Sequence, residues 1–274
     1  MPRRVSFSEA NHHTKPIKPP SITITFPTTA KNCPATKTRP PATYTTDYID
    51  KPGVARGNTA ISIDRPDGAE EAYTRRFGEF TPLQQHILFW DRDQDNEIYP
   101  WDTYTGFREL GFNMLFSALA AVIVNGGFSY PTRLAQSVVP DLWWRVFVDG
   151  IHKGKHGSDS NTFDTEGRFI PQSFENLFAK YDGDGDGGLT LRELWAMMAG
   201  NRCVGDFFGW GAALFEWGTT WLLIQREGKV WKEDLRGIYD GSLFWKIREE
   251  RRAGRGWSQG FGIGDGFVGG VKVY

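Results

Sequence analysis

Two sets of closely spaced aspartates carry the clearest chemistry in this sequence, because their spacing is that of ligands around a hard cation. The more complete set lies in residues 182–193, DGDGDGGLTLRE, called the second loop below. Carboxylates occupy positions 1, 3, 5 and 12, and Gly187 supplies the sharp turn at position 6. The pattern predicts an EF-hand calcium site. Its predicted ligands are Asp182, Asp184, Asp186, Gly188 through its carbonyl, and Glu193.

Residues 91–102, DRDQDNEIYPWD, form a weaker copy of this pattern and are called the first loop. Position 6 is Asn96, which the turn tolerates because asparagine adopts the left-handed conformation more readily than most residues. Position 12 is an aspartate, whose shorter side chain favours a weaker or more Mg²⁺-like site. The predicted ligands are Asp91, Asp93, Asp95, Glu97 at position 7, and Asp102.

Helix signals flank both loops and predict a mainly α fold built from EF-hand-type helix–loop–helix units. Thr81-Pro82-Leu83-Gln84 combines an N-cap, an N1 proline and a capping-box glutamine ahead of the first loop. The helix leaving that loop is expected from about Tyr104. Apolar stripes around the second loop predict helices over 172–181 and 190–199, and Thr190 and Glu193 form a capping-box pattern at the start of the second of these. The two loops are far apart in the chain, so a large insertion is expected between them.

The inserted segment, 112–140, is apolar at first and then contains helix-breaking residues. Met114–Val124 is too short an apolar run to span a bilayer, which needs about 20 residues. The residues that follow it are Asn125-Gly-Gly127, Pro131, Pro140 and Leu142-Trp-Trp144. This order fits an apolar helical hairpin that dips into one lipid leaflet, with tryptophans at the interface. It equally fits a buried core helix with a proline-containing return loop.

The two ends of the chain differ in composition from the 71–250 region. Residues 1–60 hold nine of the 15 prolines and nine Lys/Arg against three Asp/Glu, with many threonines. We predict that residues 1–70 form a disordered tail, because so few apolar residues cannot offset the entropy of ordering. Residues 251–274 are rich in glycine and are predicted to form a loop-rich tail.

Several classes of protein are disfavoured by composition. The first ten residues lack the apolar stretch of a secretory signal, and Cys33 and Cys203 fit no disulfide or zinc spacing. The net charge of −1 gives no reason to expect a nucleic-acid partner.

Five histidines are the remaining residues able to bind a metal. His86 lies among apolar residues on the predicted helix before the first loop, a setting that suits either a cofactor ligand or a core histidine. From the residues alone, the core histidine is the commoner case. His152 and His156 are four residues apart, but Gly154 and Gly157 favour a loop there over a shared helix face.

Several longer motifs together resemble those of the caleosins, calcium-binding lipid-droplet proteins of plants and fungi, here of the fungal type. They occur in the family's order over roughly residues 76–247. Two features depart from the family pattern: the prolines of its proline knot are reduced to Pro131 and Pro140, and the second loop is additional. The matching segments are Leu83–His86, Ile98–Trp101, Gly154–Ser160, Asp164–Phe169 and Tyr239–Phe244.

The resemblance implies a haem b held by two histidines, which match His86 and His156 here, with His152 as the alternate. It implies an enzyme that transfers oxygen from a fatty-acid hydroperoxide to an unsaturated lipid acceptor. The implied location is the lipid droplet and the cytosolic side of the endoplasmic reticulum membrane, on a phospholipid surface. The alternative is a non-catalytic, calcium-dependent droplet coat or sensor, and a homo-oligomer is left open.

A block of aromatic residues follows the second loop, from Phe207 to Trp221. Its spacing predicts a helix packed against the second helix–loop–helix unit. The alternative is that this helix forms the wall of a groove for a fatty-acyl chain.

Overall fold

The computed structural model describes residues 56–253, 261–263 and 271–273, and it confirms the mainly helical class. Each long apolar stripe predicted from the sequence forms a helix. The α-helices are α1 (Glu71–Phe77), α2 (Pro82–Ile87), α3 (Pro100–Leu110), α4 (Met114–Arg133), α5 (Pro171–Tyr181), α6 (Leu191–Gly200), α7 (Phe207–Ile224), α8 (Lys232–Tyr239) and α9 (Ser242–Arg252). The strands are β1 (Glu97–Ile98), β2 (Val146–Phe147), β3 (Gly188–Thr190), β4 (Lys229–Trp231), β5 (Phe261–Ile263) and β6 (Val271–Val273), and a 3₁₀ helix spans Val148–Gly154.

Both loops join two helices and contain a short strand, but the loops do not pair with each other. In the first loop, β1 pairs antiparallel with β2, with Ile98 opposite Val146. In the second loop, β3 pairs antiparallel with β4, with Leu189 opposite Val230. Each cation-type loop therefore has a partner strand that comes later in the chain and lacks the aspartate pattern.

The helix after the first loop begins at Pro100, four residues earlier than the predicted start near Tyr104. Proline at the first helical position has the backbone angle that a helix start needs. The Asp102 side chain accepts a hydrogen bond from the Tyr99 amide at 3.0 Å and so caps the new helix. The last residue of the loop pattern is thus already inside the helix.

Helix α4 corrects the prediction of a glycine break at 125–127, because it continues without interruption to Arg133. The Asn125 side-chain amide donates to the carbonyls of Ile98, at 3.0 Å, and Trp144, at 2.9 Å. Its oxygen accepts from the Thr103 hydroxyl at 2.7 Å. These tertiary bonds hold the segment helical against the weak helix propensity of its glycines. The predicted hairpin is therefore one long helix followed by a return segment that ends in β2.

In α4 the fully buried positions hold small or polar side chains, and several exposed positions hold large apolar ones. An ordinary core helix has the reverse arrangement. The buried positions carry small or polar side chains, including Ser117, Ala120 and Asn125. With 20 residues, α4 is long and apolar enough to cross a membrane. Length and composition are by themselves weak evidence that a helix does so. The exposed large apolar side chains, called the outer apolar surface, are Met114, Leu115, Leu119, Val122 and Ile123 on α4, Leu142, Trp143 and Trp144 after it, and Phe207, Phe208 and Leu214 on α7.

The prediction of a disordered tail over residues 1–70 is wrong for 56–70, which pack on the body of the protein; residues 1–55 lie outside the described range. Gly57 exchanges two backbone hydrogen bonds with Phe169. The Ala60 carbonyl accepts from the buried Arg236 guanidinium at 3.2 Å, and Ser62 donates to Glu233 at 2.6 Å. Polar contacts with distant charged residues order this segment, and its own composition does not reveal them.

The glycine-rich end contains an antiparallel pair of strands, β5 and β6, with Gly262 opposite Lys272. This hairpin lies beside α7. The tail predicted to be loop-rich, residues 251–274, thus contains regular structure in the form of these two short strands.

The turn between α8 and α9 approaches the backbone of α2 unusually closely. Gly241 has a positive φ of 76°, and a Cβ at this position would lie 2.6 Å from the Gln85 carbonyl oxygen and 2.9 Å from the His86 Cα. Only glycine combines this conformation with this approach. Phe244, three residues later, packs its ring edge-on against the His86 imidazole at 5.2 Å.

We predict that Gly241→Ala destabilises the protein more than Gly228→Ala, which is a matched control. Both glycines have φ of 76°, but a Cβ on Gly228 would meet nothing within 4 Å. Both variants carry left-handed strain of about 1–2 kcal/mol. The clash with α2 should add about 1–3 kcal/mol for Gly241 alone. Denaturant unfolding measures the difference, and equal losses would contradict the close approach.

Candidate cofactor cavity and cation loops

A cavity of about 250 Å³ lies among α2, α3, α4, α7, α8 and α9. Most of its lining is apolar, which excludes water from the centre of the fold. Both histidines that the resemblance implicates, His86 and His156, line this one cavity, whereas His152 is absent from its wall. The structure therefore brings together two residues that are 70 positions apart in the chain.

His86 is held in one orientation and one tautomer. Its Nδ1 lies 2.6 Å from the carbonyl oxygen of Ile238. Because a carbonyl can only accept, Nδ1 carries the proton and Nε2 keeps a lone pair. Burial lowers the pKa of His86, against the smaller opposing effect of that hydrogen bond, so the ring is neutral near pH 7. A neutral, oriented imidazole in a dry pocket is what a histidine that is to hold haem iron requires.

His156 is less tightly held than His86. Among the described residues, its Nδ1 is buried without a hydrogen-bond partner, and the nearest carboxylate oxygen, Asp206 Oδ2, is 3.8 Å away. Burial lowers its pKa, although Asp159 and Asp206 oppose that shift. The ring packs near Phe208, with centroids 6.2 Å apart. The donor chemistry of the two histidines fits a haem, and His86 is the more firmly positioned of the two.

One part of the cavity wall is polar, and sequence reasoning missed it. Tyr239 shares a 2.6 Å hydrogen bond with Ser160, and burial raises the pKa of the Tyr239 phenol to about 12. Lys155 and Asp159 form an ion pair at 3.2 Å. Glu216 also lines the cavity. The sequence did carry a signal for this wall. Glu216 is an acid within the aromatic block, and it lies on the same side of α7 as the buried residues Ala213 and Leu223.

The aromatic block forms α7, and both of its predicted roles find a counterpart in the structure. The helix contacts α6 of the second helix–loop–helix unit. Its residues Phe215 and Trp217 also line the histidine cavity. A second apolar groove runs between α4 and α7 and shares Phe128, Phe215 and Thr219 with the cavity wall.

The second loop gathers three carboxylates that could hold a cation. Oxygens of Asp182, Asp184 and Glu193 lie within 4.8 Å of one another. Asp182 accepts from the Gly185 and Gly187 amides, both at 2.8 Å, which curls the loop around its carboxylate. Glu193 accepts from the Gly183 amide at 2.9 Å through one oxygen and from the Thr190 amide at 2.8 Å through the other. The predicted capping box of Thr190 and Glu193 is confirmed.

A lysine from the partner strand neutralises part of this loop. Lys229 on β4 is ion-paired with Asp184 at 2.8 Å and with Asp186 at a shorter distance. The hydrogen bond from Lys229 lowers the pKa of Asp184. Asp186 is therefore turned toward the lysine, and a cation that used all five predicted ligands would compete with this ammonium group.

The first loop gathers three carboxylates, those of Asp91, Asp93 and Asp95, within the same 4.8 Å limit. Asp91 is buried, one of its oxygens has no hydrogen-bond partner among the described residues, and burial raises its pKa to about 6. An unpartnered buried carboxylate oxygen is the kind of group that a bound cation satisfies. Asn96 adopts the expected left-handed conformation, with φ of 67°.

Two predicted ligands of the first loop are engaged elsewhere. The Glu97 carboxylate is ion-paired with Arg145 at 2.6 Å, which leaves its carbonyl as the ligand at position 7. Asp102 caps α3 and is not in the three-carboxylate cluster. Burial raises the pKa of Asp102, and the charges of Asp93 and Asp95 add to that rise. The first site thus has fewer carboxylates in place than its sequence pattern predicts.

Comparison with known proteins gives a consistent answer. A family model described as "Caleosin related protein" matches residues 78–248, close to the range of the motifs. A protein named "Peroxygenase" from Lilium longiflorum is 37% identical over 225 residues, covering 82% of this chain and 92% of that protein. "Probable peroxygenase 4" from Arabidopsis thaliana is 38% identical over 170 residues, covering 62% and 86%.

A third relative, "Probable inactive peroxygenase-like protein" from Arabidopsis thaliana, is 34% identical over 148 residues, covering 53% of this chain and 69% of that protein. No solved structure matches. The family match includes both loops, both cavity histidines and the turn at Gly241. The chain belongs to the caleosin family.

Proposed function

We propose that this protein is a haem-dependent peroxygenase that moves one oxygen atom from a fatty-acid hydroperoxide to an unsaturated lipid acceptor. The observation that carries the proposal is the pair His86 and His156 on the wall of one apolar cavity. The names of the Lilium relative and of the first Arabidopsis relative support the same activity. A bound haem b would supply the redox chemistry of oxygen transfer.

The two histidines would have different roles. His86 is locked by the Ile238 carbonyl, so it is the residue proposed to hold the iron permanently. Two firmly held ligands would leave no free coordination position for a peroxide. His156, whose Nδ1 has no hydrogen bond among the described residues, would hold the group less firmly and would be the one to give way to the substrate. Apolar side chains such as Trp90 and Phe107 would keep water out and hold the acyl chain.

We predict that His86→Ala loses haem binding and that His156→Ala weakens it less. Loss of a directly bonded ligand should cost more than the roughly 10–100-fold in affinity typical for an outer-shell partner. Titration of the haem-free protein with haem, followed by the Soret band, measures this. His152→Ala is the control and should bind as wild type does, because His152 does not line the cavity. Normal binding by His86→Ala would refute the assignment.

We propose that both loops bind Ca²⁺, the second more tightly. The second loop has a glutamate at position 12 whose two oxygens already face the loop. The first loop offers a compact cluster of three aspartates, with Asp102 outside it, which favours weaker or Mg²⁺-like binding. Metal would also relieve the like-charge repulsion that the cluster members exert on Asp91.

We predict that Glu193→Gln weakens the tighter Ca²⁺ site roughly tenfold or more, about 1.4 kcal/mol, because a charged ligand oxygen is replaced. Isothermal calorimetry with the full chain measures both binding phases. Glu227→Gln, an exposed acid just before β4, is the control and should change neither phase. An unchanged tight phase in Glu193→Gln would show that the second loop is not that site.

We propose that the outer apolar surface rests on the phospholipid monolayer of lipid droplets and on the cytosolic face of the endoplasmic reticulum membrane, without crossing it. The inner face of α4 is tied to the protein by Asn125 and Thr132, so the helix cannot also be surrounded by lipid. Its outer face and the neighbouring Trp143 and Trp144 have the composition of an interfacial surface. The groove between α4 and α7 would then receive an acyl chain from the lipid side.

We predict that the triple variant Leu115→Gln, Leu119→Gln, Val122→Gln lowers partition onto phospholipid-coated triacylglycerol droplets by about tenfold or more, since three exposed apolar side chains would no longer enter lipid. Flotation of droplets with the purified protein measures the partition. Ile63→Gln is the control, because Ile63 is exposed but lies outside this surface. Undiminished flotation would exclude α4 as the contact.

A non-catalytic droplet coat or calcium sensor is the second candidate, and one relative, whose name reads "Probable inactive peroxygenase-like protein", favours it. The two candidates differ in one accessible property. An enzyme must bind haem and consume a fatty-acid hydroperoxide, whereas a coat protein would bind droplets and Ca²⁺ with no Soret band. A homo-oligomer remains compatible with both.

A further inference from the structure

Glu216 is a carboxylate on the cavity-facing stripe of an otherwise apolar helix. Ala213, Trp217 and Thr220 line the cavity on the same face of α7. The Glu216 side chain lines the cavity and is accessible to solvent. Within the described part of the chain, no hydrogen bond or ion pair engages it. An ionised carboxylate without a partner on an apolar wall costs stability, and such groups are concentrated at functional sites.

The surroundings of Glu216 favour its protonated form to an unusual degree. Burial raises the pKa of Glu216 to about 7, and the charge of Asp159 adds to that rise. A carboxyl group that is half ionised near neutral pH both accepts and donates protons efficiently. Sequence spacing alone does not reveal this property, because it depends on what α7 faces.

We propose that Glu216 is the acid–base residue of oxygen transfer, an inference that rests on the proposed peroxygenase function. Its carboxylate takes the proton from the terminal oxygen of the lipid hydroperoxide. The same proton then goes to the other oxygen as the O–O bond breaks, so that this oxygen leaves in the alcohol. Glutamate ends each cycle as it began.

The overall step balances without a further reactant. The hydroperoxide gains two electrons and becomes the alcohol, while the unsaturated acceptor loses two electrons and gains the terminal oxygen atom. One O–O bond breaks and the acceptor's new C–O bonds form. The proton only changes oxygen, and Glu216 is the group that carries it.

The other titratable groups lining the cavity are less suited to this role. Asp159 is ion-paired with Lys155. Tyr239, with a pKa raised to about 12, stays protonated at neutral pH. His86 and His156 are assigned to the iron. Glu216 is therefore the group on this wall that combines an uncommitted carboxyl with access to the cavity.

The test compares wild type with Glu216→Gln, Glu216→Asp and the exposed control Glu249→Gln. Glu216→Gln should bind haem with an unchanged Soret band and lose about 100-fold or more in oxygen transfer from linoleic acid hydroperoxide to oleic acid. Glu216→Asp keeps the carboxyl and should retain part of the rate. In wild type the rate should rise with pH through about 7 as the carboxylate forms, and this rise should be absent in Glu216→Gln.

A readout independent of activity is infrared titration of the haem-free protein. The protonated carboxyl signal that disappears near pH 7 in wild type should be missing in Glu216→Gln, while the signal of Asp91, which disappears near pH 6, should be present in both proteins. Wild-type rates in a folded, haem-loaded Glu216→Gln would overturn this inference alone, as would ionisation of Glu216 in the ordinary range for glutamate. A haem-loaded wild type that transfers no oxygen would overturn the proposed function and this inference with it.

Discussion

The buried amide of Asn125 is the interaction on which the arrangement of this fold most depends. It bonds at once to the first loop through Ile98, to α3 through Thr103 and to the return segment through Trp144. Each partner would be a costly unpaired polar group if the amide were absent. These polar bonds lie on the inner side of α4, while large apolar side chains such as Leu115 and Leu119 face outward. Apolar contacts of Ala120, Phe116 and Phe128 with the core complete the attachment of this helix.

That constraint links the lipid-facing side of the molecule to its interior. Helices α4 and α7 meet along an apolar groove on the outside and contribute Phe128 and Phe215 to the histidine cavity on the inside. On the far wall, the bare backbone at Gly241 lets the α8–α9 turn press against His86. The Ile238 carbonyl from the same turn region then sets the tautomer of that histidine. One short stretch of chain therefore both closes the cavity and orients His86.

The parts of this structure that sequence reasoning predicted are those encoded by neighbouring residues. The second loop, its capping box and the helix after Thr81 are local patterns, in which a few side chains satisfy nearby backbone groups. The strand partners at Val146 and Val230 were not predicted, because their residues carry no mark of the loops they face. The prediction placed a break in α4 at 125–127, because the three distant partners of Asn125 cannot be read from the local sequence. His86 and His156 came from family resemblance, whereas Glu216 needed the fold itself.

The separate pairing of the two loops also affects how the protein would respond to a change in Ca²⁺ concentration. In a tandem pair of EF-hands, the two loops share one small sheet, so cation binding at one site favours the binding conformation of the other. Here β1 and β3 lie in different sheets, each completed by a strand that brings no carboxylate cluster of its own. Occupancy of one site then has no direct mechanical route to the other through a common strand. With two Ca²⁺ sites of unequal affinity, as proposed above, such a molecule would fill each site independently, and its response would be graded over a wide concentration range.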